Sequence, residues 1–85
     1  MNPTDTVIRD HIAARQKAYA LTLSEGDSAG IVMKDLAKFC RAKESTFHPD
    51  PRAHALAEGR REVYLRIMEH LELSVEDLYG IYTGK

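Results

Sequence analysis

The stretch Phe47-His48-Pro49-Asp50-Pro51-Arg52, followed seven residues later by Gly59-Arg60-Arg61, decides how the chain is read. Pro49 and Pro51 forbid a helix through residues 44–50, so this part crosses between elements. Asp50-Pro51 then starts a helix. The carboxylate can accept free N–H groups of the first turn, and proline is favoured at the first helical position. Phe47 is the expected anchor of the crossover in the core. The helix should run from Pro51 to about Leu71, with Leu56, Val63, Ile67 and Leu71 on its apolar face. Ala53, Ala57, Tyr64 and Met68 lie beside them, and Glu58, Glu62 and Glu69 opposite.

Working outward, three more helices appear and no convincing strand. Upstream, roughly Ala29 to Lys43 is amphipathic, with Val32, Leu36, Phe39 and Cys40 on one side and Ser28 as the expected cap. Lys34, Lys38 and Arg41 form an opposite stripe, expected to be solvated. Ser24-Glu25-Gly26-Asp27 reads as a loop. Before it, about Asp5 to Leu23 forms a first helix capped by Thr4 or Thr6, whose apolar face is wide enough for two partners. Downstream, Ser74 caps a short helix from Val75 to about Tyr82. The fold class is therefore all-α, a small bundle of about four helices forming a single domain over residues 1–85. Residues 1–27 supply a helix and loop, and 28–85 a core centred on the second and third helices.

Composition narrows the function. The 85 residues carry 12 Lys+Arg against 13 Asp+Glu, a net charge of -1. Nonspecific nucleic-acid binders are usually strongly basic, so nucleic acid is an unlikely partner. One cysteine, Cys40, excludes an intrachain disulfide and a multi-thiolate metal site, and its apolar setting marks a buried thiol. The start of the chain has no signal-peptide pattern, and no apolar run approaches the about 18 residues of a membrane span. The expectation is a protein that is neither secreted nor membrane-embedded.

Arg60 is the anomaly. Its helical neighbours Ala53, Leu56, Ala57, Val63, Tyr64 and Ile67 are all apolar. An unpaired buried charge is very costly. Asp35, flanked by Ile31, Val32 and Phe39, is its expected partner, with Arg15 as the competing donor. The other reading leaves one arginine exposed as an interface anchor. Gly59 inside a helix suggests close approach of another helix. His48, Asp50, His54 and Glu58 invite a metal reading, but Asp50 is needed as a cap and no H-E-x-x-H motif is present. No catalytic residue, metal or cofactor is expected.

The runs Asp35-Leu36-Ala37-Lys38-Phe39-Cys40-Arg41-Ala42, Ser45 to Arg52, Glu58-Gly59-Arg60-Arg61-Glu62-Val63 and Leu65-Arg66-Ile67 resemble a family of small tailed-bacteriophage proteins. They are similar to a short protein encoded near the head genes of a podophage. The resemblance covers about residues 35–82. It implies a helical phage product with no known catalytic residue. Phe39, Phe47, Asp50, Arg52, Glu58, Gly59, Arg60 and Arg61 are its matched positions, read as structural or interface residues. The expected function is non-enzymatic: a minor virion or head-assembly component that docks on a larger protein or on itself. A cytoplasmic phage factor that modulates a host protein is the alternative, and a nucleic-acid-binding regulator the third.

Overall fold

In the computed structural model, which describes residues 2–84, the chain forms helices α1 (Pro3–Leu23), α2 (Gly26–Phe39), α3 (Pro51–Glu72) and α4 (Val75–Tyr82). The all-α expectation holds. Two starts follow the sequence: Asp50 accepts the Arg52 N–H at 2.9 Å, and Ser74 accepts the Asp77 N–H at 3.1 Å.

Other boundaries differ for local reasons. Asn2, not Thr4 or Thr6, caps α1 by accepting the Asp5 N–H at 2.9 Å, because Pro3 already occupies a helical position. Ser28 is no cap; it lies inside α2. Gly26, at φ +86°, takes a conformation open mainly to glycine and turns the chain from α1 into α2 within two residues. At the other end α2 stops at Phe39, short of Lys43. Arg41 adopts φ +53° there, while the Ala42 N–H reaches the Ala37 carbonyl and the Arg41 N–H that of Lys38. This is a Schellman stop with arginine where glycine is usual.

The centre of the fold is α1 rather than the α2–α3 pair. Helix α1 packs most extensively on α4 and α3, and less on α2, while α2 and α3 barely touch. Ile12 of α1 and Leu78 of α4 are fully buried, joined by Ala29, Cys40, Ile67 and His70. At the outer edge of this core, the Arg9 guanidinium holds Glu76 through two bonds of 2.6 and 3.1 Å and lies 4.0 Å over the Tyr79 ring. Tyr79 in turn donates to Asp5 at 2.6 Å. The bond from Arg9 holds the Glu76 carboxyl below its ordinary pKa, and the bond to Asp5 raises that of the Tyr79 phenol.

The molecule is flat and open. Its extents are 48 × 33 × 14 Å, with a radius of gyration of 15.4 Å. A compact domain of this length has a radius of gyration of about 12 Å. The chain exposes 6266 Å², whereas a folded monomer of 9.6 kDa exposes about 5,100 Å². The excess of about 1,200 Å² is surface that a rounder arrangement of the same helices would cover.

Candidate protein-docking face

Part of this exposed surface lies along one face of α3. Leu56, Arg60, Val63, Ile67 and His70 succeed one another at alternating spacings of four and three, so they form a single row along the helix. At its C-terminal end the row is covered: Ile67 and His70 are buried. At its N-terminal end it is bare, with Leu56 56% and Val63 60% exposed. Beside it, α2 presents Ile31, Val32 and Phe39, all exposed. Arg60 bridges the two helices, its guanidinium 4.5 Å from the centre of the Phe39 ring. Phe47, Leu56 and Arg60 also line an open groove of about 280 Å³ at the crossover.

The expected Asp35–Arg60 pair is absent. Both side chains are exposed, and among the described residues Asp35 forms no ion pair. Because α2 and α3 touch so little, Arg60 stays exposed, and the Phe39 ring face stands where the carboxylate was expected. Arg15 does not take Asp35 either; it donates to the Tyr82 hydroxyl at 3.2 Å. Phe47 is 74% exposed rather than anchored in the core. The crossover is held instead by polar contacts. Thr46 is buried and donates to Glu58, and the Thr46 carbonyl accepts from His54 Nδ1 at 3.1 Å. Arg61 donates to the Arg41 and Glu44 carbonyls at 3.3 Å each. Gly59 has no close neighbour: a β-carbon there would meet nothing within 4 Å. Arg52 and Glu58 are exposed, and the Arg52 backbone N–H satisfies the Asp50 cap.

Sequence reasoning missed His70. It is 1% exposed, stacked on Tyr19 with centroids 4.3 Å apart. Its Nδ1 donates to the Arg66 carbonyl at 2.8 Å, which leaves Nε2 to accept from the Tyr82 hydroxyl at 2.7 Å. Arg15 donates to that hydroxyl in turn, so both ring nitrogens of His70 and the Tyr82 hydroxyl have partners. The signal was available: His70 continues the apolar row three residues after Ile67. Among the described residues no group of three or more His, Cys, Asp or Glu is placed to hold a metal ion, and no helix is long and apolar enough to cross a membrane.

Fold and face together define a small all-α protein with a closed, hydrogen-bonded end and an open apolar end. The chain belongs to the Bbp19-like phage protein family, whose model matches residues 19–80. The match begins within the last turns of α1, earlier than the motifs at 35–82, and takes in all of α2 and α3. No curated protein and no solved structure gives a significant match.

Proposed function

We propose that this protein is a non-enzymatic interaction module of a tailed phage, a minor virion or head-assembly component that docks through the α2–α3 face. The observation that carries this is the uncovered apolar surface around Phe39, Leu56 and Val63 in a chain that exposes about 1,200 Å² more than its size requires. Contiguous apolar patches of this kind mark interaction sites. The conspicuous sequence around Phe47–Arg52 and Glu58–Arg61 borders the face, which gives those residues a role at its rim and in the crossover that shapes it. A protein partner suits the surface better than a nucleic acid. The net charge is -1, without the strong basic excess of nonspecific nucleic-acid binders, and Arg9, Arg41 and Arg61 are engaged by Glu76, Glu44 and backbone carbonyls.

The test is mass spectrometry of purified, nuclease-treated particles of the parent phage, with a Leu56→Glu variant in parallel. The wild-type chain is expected at a fixed ratio to the capsid protein, and the variant is expected to be depleted. Absence of the chain both from mature particles and from assembly intermediates would overturn the proposal.

A further inference from the structure

We infer that the occupant of the α2–α3 face is a second copy of this chain, paired about a twofold axis. The inference rests on the docking reading of the same face and names its partner. A twofold interface must be self-complementary, because residue i of one copy meets residue j of the other and the reverse. This face satisfies the condition. It presents an apolar centre, Phe39 with Leu56 and Val63, together with one acid and one base, Asp35 and Arg60. Asp35 lies one helical turn before Phe39, whose ring carries the Arg60 guanidinium 4.5 Å away. The two charges thus sit at neighbouring points of one patch, yet are not paired with each other. Across a twofold axis, Asp35 of each copy meets Arg60 of the other, and the single patch yields two symmetric ion pairs.

Area leaves room for this. A stable protein interface takes about 800 Å² from each partner, and the chain as a whole, at 6266 Å², exposes about 1,200 Å² more than a compact monomer of its mass. Docking a second copy there would also give Phe39 and Leu56 the second layer that a two-layer domain normally provides.

The experiment uses sedimentation velocity or light scattering on the full chain over a range of concentrations. Wild type is expected at twice the chain mass. Asp35→Arg and Arg60→Glu are each expected to weaken association about tenfold or more, because both copies then face like charges. The deciding sample is an equimolar mixture of the two variants. One chain then offers two arginines and the other two carboxylates, so both cross-axis pairs are restored and the mixture returns to dimer. No rearrangement within one chain produces that recovery. Circular dichroism confirms the helices first; if a charge variant fails to fold, Leu56→Glu on the same face gives the dissociation readout. Three results would each overturn the inference: a wild-type monomer at every concentration, a dimer indifferent to these substitutions, or variants that stay monomeric when mixed. A wild-type monomer whose Leu56→Glu form is still lost from particles removes the dimer and leaves the docking function standing. A dimer found in neither particles nor assembly intermediates does the opposite.

Discussion

Replacing Tyr82 by phenylalanine tests the closed end of the molecule with the loss of one oxygen. The Tyr82 hydroxyl donates to Nε2 of His70 at 2.7 Å and accepts from Arg15 at 3.2 Å. Arg15 is exposed and finds water when the hydroxyl goes. His70 is 1% exposed and does not. Its Nδ1 hydrogen is fixed on the Arg66 carbonyl, so Nε2 remains a buried acceptor without a donor. An unsatisfied buried polar group costs about 1–3 kcal/mol. For a domain of this size each kcal/mol lowers the melting temperature by about 4–8 °C. The assay is thermal and urea unfolding at one fixed protein concentration, since a self-associating chain melts in a concentration-dependent way. His70→Phe combined with Tyr82→Phe completes the cycle. The second ring keeps the stack on Tyr19 and removes the orphaned acceptor, and such paired apolar replacements are often nearly neutral. The double variant should therefore melt above the sum of the single effects, with a coupling of about 1 kcal/mol or more. A Tyr82→Phe protein that melts with wild type, or strictly additive singles, would refute the bond chain.

Gly59→Ala should stabilise the chain by about 0.5–1 kcal/mol, since the position is helical and open and glycine there costs only entropy; a lower midpoint in urea would mean that a helix does approach it. Asp50→Ala should cost about 1 kcal/mol through the lost cap of α3, seen as faster amide exchange at Arg52. The α1–α4 clamp gives a pH dependence. Glu76 has its pKa lowered from 4.5 by the Arg9 bond, so its contribution is full above that value and is lost as pH falls through the lower folded pKa. Wild type and Glu76→Gln should differ near neutrality and converge in acid; a constant gap would count against the clamp. Tyr79 has its pKa raised from 10.0 by Asp5, so stability should decline as pH rises past that value, and Tyr79→Phe should remove this slope.

The helices were legible because punctuation marks them. Pro51 behind Asp50 and Ser74 before Val75 each leave one reasonable start, and both are used. What the sequence hid was conformation without a signature residue. Arg41 closes α2 in a left-handed conformation that usually announces itself as glycine or asparagine. Sequence places Phe47 in the interior because large apolar side chains usually go there, an inference that assumes a closed fold. It fails in a slab 14 Å deep. The crossover's polar fastening was also hidden, since Thr46, Glu58 and Arg61 look like ordinary surface residues until residues 41–46 fold back on α3.

The row along α3 contains two polar members among apolar ones, and their fates differ in an instructive way. His70 lies where α1 and α4 cover the row, and the covering helices bring what it needs: the Tyr82 hydroxyl and, beyond it, Arg15. Arg60 lies where the row is bare, and among the described residues its partner is the face of Phe39. A ring can accept a guanidinium for about 0.5–1 kcal/mol while water still hydrates its edges. It cannot do so once an apolar surface displaces that water, because burying the charge then costs several kcal/mol. Whatever closes this end must therefore deliver an acceptor to Arg60 along with its apolar groups. On the docking reading, a purely apolar partner would leave that arginine buried without an acceptor, and Asp35, exposed one turn away from Phe39 on α2, is an acceptor of the kind that a second copy would bring.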